Sequence, residues 1–468
     1  MTNVIKDDPE NPQNWSLAKK NFVAFVICFY SFVVYFGSSI SVGAVPEIVT
    51  KFGVSVEVSS LALSLYVLGY GLGPMIFSPL SEMAIVGRNA PYFITLFIYT
   101  MLWIGAATVK NLAGYLVLRF LTGFFGSPAL ATGGATLSDI YPLIKVPYAI
   151  IVWGAATVVG PALAPVVANF SAPAMNWHWV SWEMLWVSAP VLILWLFVPE
   201  TSASTILHYR ARRLRRLTGN AKYRTKEEID RIASQTTTKS IFYNAIMKPT
   251  EINALDPAVL FSTVYTSLIY AIFYSFFESF PIIFERVYHF RFEVTGLPFL
   301  AVLPALAVAT TLLASYWHLS VERHLPSKGM AAFGAPERRL VPGLIVCSLT
   351  PIGLFITAWS ARPSVHWMVP ILGLFLNIIG TFTVIVCMLQ YLAFSYPRYA
   401  ASLFAANDFA RSTLAAGAVM FSRPMFVNLG LDWGISLLAF LDIVCCVLLF
   451  GLWRFGGYLR GKSRFAET

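Results

Sequence analysis

Residues 179–198 read WVSWEMLWVSAPVLILWLFV, and residues 199–220 follow as PETSASTILHYRARRLRRLTGN. The first stretch is twenty residues of almost unbroken apolar character, the length a helix needs to cross a bilayer core of ~30 Å. The second carries five arginines between Arg210 and Arg216, near the midpoint of the 468-residue chain. Arginine that dense beside a lipid-length helix belongs on the cytoplasmic leaflet, where anionic headgroups attract it. The pair of stretches predicts a membrane protein of two bundles joined by a basic cytoplasmic linker.

Working outward, eleven further segments have the same apolar, span-length character. The twelve predicted spans lie near 21–43, 58–77, 91–109, 112–133, 146–170, 179–198, 258–284, 297–317, 340–358, 367–389, 399–422 and 432–454. Hydrophobic residues make up 57% of the chain and charged residues 12%, about half the ~25% charged fraction of soluble domains. The runs are continuous rather than alternating, which disfavours a lipid-facing β-barrel. The expected fold is all-α: an N-terminal tail (1–20), a six-helix bundle (21–198), a linker (199–257), a second six-helix bundle (258–454) and a C-terminal tail (455–468).

The net charge of +10 raises the question of nucleic acid. With the N-terminus inside, 25 of the 33 Lys and Arg fall on cytoplasmic segments and 6 on outer loops, while Arg119 and Arg411 lie within helices. Basic residues that track one membrane face orient the chain and predict cytoplasmic termini; they do not form a nucleic-acid groove. Residues 1–20 are polar and the first apolar run is too long for an h-region, so no cleavable signal is expected. The five cysteines all fall within predicted spans, which implies no disulfide framework. Asn169-Phe-Ser171 is a glycosylation sequon expected to lie too close to the bilayer for use.

The linker opens with Ile206, Leu207, Ala211, Leu214 and Leu217 at helical spacing, opposite the arginines. That pattern predicts an interfacial amphipathic helix; a solvated charge run that only steers insertion is the plainer reading. Thr225-Lys-Glu-Glu228 has the form of a capping box for a second short helix. Polar interruptions at 78–90 and 318–339 fall at matching places in the two halves, the trace of a six-plus-six repeat.

Several motifs carry a family resemblance. Ser78-Pro-Leu-Ser-Glu82-Met-Ala-Ile-Val-Gly87-Arg88-Asn89 resembles the loop signature of the major facilitator superfamily, with Glu82 in place of the usual aspartate and two extra residues before the glycine. Arg119-Phe-Leu-Thr-Gly123 matches that superfamily's fourth-helix motif. Gly154 through Gly160-Pro161-Ala-Leu-Ala-Pro165 is similar to the fifth-helix motif of drug:proton antiporters, with Ala164 where a glycine is common. Longer strings, among them DPENPQNW (8–15), RFLTGFFGSPALATGGATLSDIYP (119–142), PETSASTIL (199–207), FESFP (277–281) and RYAASLFAANDFAR (398–411), resemble the fungal twelve-span drug:proton antiporters along nearly the whole chain. The resemblance implies the major facilitator fold and proton-coupled export, with protons and a small molecule as partners, at the plasma or vacuolar membrane. It does not choose the cargo.

The residues themselves suggest a division of labour. Arg119 lies about seven residues into span 4, some ~10 Å at helical rise, where a charge requires a wet cavity, an acidic partner or a full set of structural hydrogen bonds. Glu278 shares a face of span 7 with Tyr270, Tyr274 and Phe277, a setting in which a carboxyl can serve as a proton-coupling site. Asp408 and Arg411 are spaced i, i+3 on span 11, able either to neutralise each other or to join the proton path. Asp442 is intramembrane with no assigned role. Glu82, Gly87 and Arg88 suit a cytoplasmic latch made in one state and broken in the other. Gly154, Gly160 and Pro161 suit a tightly packed, bent gate helix, with Gly160 expected to meet the opposite half. Tyr66, Tyr70, Tyr270, Tyr274 and Phe277 as a set suit the lining of a cavity for flat apolar cargo, while ordinary helix packing is the better explanation for any one of them.

Three functional classes follow. A proton-driven exporter of amphipathic molecules fits best. A transporter of polyamines or another polar metabolite would need more polar residues along the path than Asn377 and Gln390. A membrane enzyme is disfavoured, because His178, His208, His289, His318, His324 and His366 are scattered without metal-ligand or nucleophile spacing. No Gly-x-x-x-x-Gly-Lys-Ser/Thr loop points to ATP. The expectation is therefore no enzyme activity, no cofactor, no metal and no nucleic acid, with the chain acting as a monomer in the lipid bilayer.

Overall fold

A computed structural model describes residues 8–225, 228–229, 251–253, 255–396 and 400–462. No strand occurs among them, and ten helical stretches are long and apolar enough to cross a membrane. Two further crossings complete twelve: the shorter apolar helix Trp179–Trp195 and the 30-residue Ala400–Leu429, which carries Asp408, Arg411 and Arg423.

Span 1 is longer than the apolar run suggests: Leu17–Ser39 passes through a 3-10 turn, Ile40–Ala44, into Val45–Phe52. Ser16 caps its start by accepting from Lys19 N–H, as a hydroxyl does for an orphan first-turn donor. Span 4 breaks at Ser127 into Leu112–Gly126 and Pro128–Ile140. Proline favours the first helical position, where its missing N–H costs nothing. Span 7 is α-helical over Pro257–Phe280 and π-helical over Pro281–Val287. Span 8 begins as a 3-10 segment, Phe292–Ala301, before Val302–Ser320.

Small residues set how closely the spans approach. A Cβ on Gly123 would lie 2.1 Å from Tyr66 O, and one on Gly69 would lie 2.3 Å from Phe120 O, so spans 2 and 4 meet backbone to backbone. In the second half, Gly353 and Gly373 do the same for spans 9 and 10. Such contact lets dispersion and packing hold helices together where lipid is as apolar as their side chains. The halves meet along spans 2 and 11, where Ser64 Oγ donates to Ala416 O at 2.8 Å, and along spans 5 and 8.

The linker helix, Ala203–Thr218, is fastened to the first half. Glu200 accepts from the backbone N–H of Arg88 at 3.2 Å and of Asn89 at 3.1 Å, where span 3 begins. Tyr209 Oη donates to Ile85 O. Arg210 is clasped by the N-terminal tail, with Asp8 at 2.5 and 3.0 Å and Glu10 at 2.5 and 2.9 Å. The Arg210 guanidinium holds the Asp8 carboxyl below its ordinary value. The capping box forms: Glu228 N donates to Thr225 Oγ1 and Thr225 N to Glu228 Oε2, each at 3.2 Å. The rest of the second linker helix expected there falls outside the described residues. On the same side, Arg460 near the C-terminus pairs with Glu337 at 2.7 Å, so tail, linker and C-terminal segment share one face.

Candidate functional site

The interface between the halves holds a cavity on each side and a seal between them. On the linker side a cavity of about 550 Å³ opens among spans 4, 5, 10 and 11. Its walls are apolar and aromatic, with Leu130, Ile150, Trp153, Leu389 and Phe394, while Gln390, Asn407, Asp408 and Arg411 line one flank. Asp408 is buried. Its Oδ1 receives Arg411 Nη2 at 2.6 Å, and its Oδ2 has no hydrogen-bond partner among the described residues.

Arg411 also reaches across the interface, donating to Tyr35 Oη on span 1 at 3.0 Å, and its guanidinium lies 4.8 Å from the Tyr270 ring centroid. Beyond it the tyrosine hydroxyls join the halves. Tyr70 on span 2 is 2.6 Å from Tyr270 Oη and donates to Tyr274 Oη at 3.0 Å. Ser38 Oγ on span 1 is 3.1 Å from Tyr274 Oη. Tyr270 and Tyr274 share a helix face because they are four residues apart. Burial makes this network strong only if every member is satisfied, which ties the seal to a particular alignment of four spans.

Past the seal lies a cavity of about 220 Å³ on the side away from the linker. Glu278 stands in its floor, 6% exposed. Ser60 Oγ on span 2 donates to Glu278 Oε1 at 2.8 Å, one more bond between halves. Beside this cavity spans 5 and 8 close tightly. A Cβ on Gly296 would sit 2.5 Å from Pro165 O, and Asn169 Nδ2 donates to Thr295 Oγ1 at 3.1 Å. The sequon asparagine is therefore 3% exposed and committed to the helix interface, which removes it as a glycan acceptor in this conformation.

The remaining candidates fall in other places. Arg119 is fully buried and donates to Ala62 O at 2.9 Å, Gly37 O at 2.8 Å, Ser38 O at 2.7 Å and Ser41 Oγ at 3.1 Å. It lies over the Tyr66 ring at 4.5 Å. Among the described residues no carboxylate pairs with it; backbone carbonyls satisfy it, and through Ser38 it touches the tyrosine network. Tyr66 bonds to Val34 O and Tyr99 Oη within the first half, apart from the cavities described. Tyr270 and Tyr274 belong to the seal, and Phe277 lines the cavity beyond it.

The structure gives Arg88 a partner that the sequence did not name: its Nε meets Asp139 Oδ2 at 2.6 Å, at the end of span 4. Gly87, just before it, occupies a left-handed turn, φ +76°. One expectation about partners is corrected. Gly160 does not meet the opposite half: a Cβ there would strike Phe32 O at 2.6 Å and Phe36 N at 2.7 Å on span 1. It is Gly154 that faces the second half, across from Phe382. Pro161 accepts from Ser39 Oγ at 2.8 Å, again within the first half. Sequence reasoning passed over Asp139, Glu200, Ser60, Trp153 and Thr295. Asp139 and Glu200 had a visible signal, as acids at the linker-side ends of spans 4 and 6; Ser60 and Thr295 had none.

Residues 27–420 match the Major Facilitator Superfamily. The chain belongs to the major facilitator superfamily. Similar members cover nearly all of it. The MFS-type transporter pyvG of Aspergillus violaceofuscus is 47% identical over 98% of this chain and 84% of its own. The fluconazole resistance protein 1 of Saccharomyces cerevisiae is 38% identical over 98% of this chain and 84% of its own. The cycloheximide resistance protein of Candida maltosa is 34% identical with the same coverage. Among solved structures, the proton:xylose symporter XylE superposes with a TM-score of 0.66 at 12% identity, covering 94% of this chain and 96% of its own. That likeness shows the superfamily fold alone.

Proposed function

We propose that this transporter exports amphipathic small molecules, such as drugs, toxins or secondary metabolites, in exchange for protons by alternating access. The observation that carries the reading is the linker-side cavity: largely apolar and aromatic walls, two charged pairs (Asp408–Arg411 and Arg88–Asp139), and a closed seal beyond it. Such a lining favours flat apolar cargo with few polar groups. The names of the fungal relatives, which include fluconazole and cycloheximide resistance proteins, support the same class. In this scheme Glu278 carries the proton, while Asp408 and Arg411 link cargo to the seal and Arg119 holds Ser38 in place for Tyr274.

Glu82, Gly87, Arg88, Gly154, Gly160 and Pro161 form the elements that move or pack as the halves rock. The linker face is assigned to the cytoplasm, the protein to the plasma membrane, and the functional unit to a monomer. The test is transport by purified protein in proteoliposomes with an imposed proton gradient and a panel of fluorescent amphipathic cargoes. Uphill cargo movement that a protonophore abolishes is the expected result. Equilibration indifferent to the gradient would assign a facilitator instead.

A further inference from the structure

The string 119–142 carries two adjacent glycines, Gly133 and Gly134, in the second part of span 4. The indole of Trp153, on span 5, lies over them. A Cβ on Gly133 would come within 2.7 Å of the indole Nε1, and one on Gly134 within 3.5 Å of Trp153 Cζ3. At Gly133 only the absence of a side chain admits the ring. The indole is also tied from its other side: its Nε1 donates to Ser31 Oγ on span 1 at 2.8 Å, and Ser31 Oγ donates to Ala129 O at 3.4 Å. A tryptophan held both by its ring and by its N–H is a fixed wall.

That wall borders two spaces. One is the linker-side cavity of about 550 Å³; the other is a pocket of about 70 Å³ next to it, and Leu130, Ile150, Leu389 and Arg411 line both as well. The pocket is otherwise mainly apolar, with Val158, Phe273, Phe382, Ile385 and Val386. Thr157 turns its hydroxyl back to Gly154 O at 2.6 Å, and Arg411 is taken up by Asp408 and Tyr35. Thr381 Oγ1 is left without a partner among the described residues. Size decides what can enter. An apolar cavity of ~150 Å³ holds a benzene ring. The pocket beside Trp153 offers less than half that room, enough for about three carbons and too little for a ring.

We propose that the pocket beside Trp153 is a shape-selective subsite of the cargo site. The flat body of a cargo lies on the indole in the larger cavity, and a short branched alkyl arm enters the pocket, which refuses a ring. The subsite rests on the reading that cargo binds in the linker-side cavity, and it narrows the cargo class to flat molecules that carry such an arm. Trp153 and Phe382 are the residues that set the selection; Gly133 and Ser31 position the indole. An arm in the pocket also lies among Tyr35, Tyr270 and Arg411, three members of the seal.

The test uses the purified full chain in lipid nanodiscs and three fluorescent aminonaphthalimides bearing N-methyl, N-isobutyl or N-benzyl. All three share the imide CH₂ and end it in hydrogen, isopropyl or phenyl. Binding is titrated by fluorescence against empty nanodiscs. The isobutyl compound should bind about tenfold or more tighter than the methyl one, since each buried carbon is worth roughly fourfold, and the benzyl compound should bind more weakly than the isobutyl. Phe382→Ala enlarges the pocket and should bring the benzyl compound level with the isobutyl or above it. Gly154→Ala, whose Cβ would point at Phe382 from 3.4 Å, fills part of the pocket and should cut the isobutyl preference several-fold. Gly133→Ala displaces the indole and should weaken all three compounds. No binding of any compound, no isobutyl preference, or an unchanged order in Phe382→Ala would overturn the subsite. The predicted order in a protein that does not transport these compounds in proteoliposomes would keep the subsite and reject export; transport of all three without preference would do the reverse.

Discussion

Arg411 on span 11 binds two partners in different halves: Asp408 Oδ1 at 2.6 Å and Tyr35 Oη at 3.0 Å. The guanidinium is thus both the counterion of a buried acid and a strut between bundles. Removing it strands Asp408. Arg411→Ala should destabilise the protein by ~3–5 kcal/mol, the usual cost of breaking a buried pair from one side. Adding Asp408→Asn should recover part of that loss, since the double variant buries no charge. Thermal unfolding of the four proteins in a double-mutant cycle measures the coupling; no recovery would mean Asp408 carries no charge in the fold.

Glu278→Gln should abolish gradient-driven accumulation while cargo still binds in the linker-side cavity. Glutamine keeps the bond to Ser60 but cannot release a proton. Transport in proteoliposomes and fluorescent cargo binding, read on the same preparation, separate the two effects. Normal accumulation would move proton coupling elsewhere, with Asp408 next in line.

Two glycines should respond differently to the same change. Gly296→Leu thrusts a side chain at Pro165 between the halves, so it should favour the state in which spans 5 and 8 separate. Gly160→Leu thrusts one at span 1 inside the first half, so it should cost folding stability, typically ~1–3 kcal/mol for overpacking. Cysteine accessibility on the two faces and thermal stability distinguish them. Equal effects on both readouts would erase the distinction.

The clasp of Asp8 on Arg210 makes a pH prediction. Because the Asp8 carboxyl is held below its ordinary value of 3.8, the contact it contributes is complete above that value. It is lost only as pH falls below 3.8 through the lower folded value. Arg210→Ala should free the tail at every pH. A fluorophore near the N-terminus, or protease cleavage ahead of Trp15, reports release; a transition near neutral pH would exclude Asp8 as the titrating group.

Leu217, 77% exposed on the linker helix, offers a test of orientation. Leu217→Cys should resist a membrane-impermeant maleimide added to intact cells and react once the membrane is permeabilised. Labelling from outside would invert the topology.

Much of this architecture was readable along the chain because the bilayer imposes a one-dimensional rule. A run such as 179–198 must be helical, since lipid offers its backbone no partners, and arginines such as Arg210–Arg216 must choose a face. The amphipathic linker helix and the Thr225–Glu228 capping box were legible for the same local reason. Span ends were less so: span 1 runs on to Phe52 through a 3-10 turn that no hydropathy pattern marks.

What the sequence alone determined was the number of crossings, the division into halves, the basic linker and the few charges that a membrane tolerates only for a reason. What the tertiary structure decided was partnership. Arg88 lies close to Glu82 along the chain, and its Nε meets Asp139 at the end of span 4. Gly160 could have faced any neighbour, and the rotation of span 5 put it against span 1. Ser60 and Glu278 are 218 residues apart, and only the docking of the two halves brings a hydroxyl to that carboxyl. Chain-local forces select helices and faces; pairings between them depend on rotation and register, which close packing across the whole bundle sets.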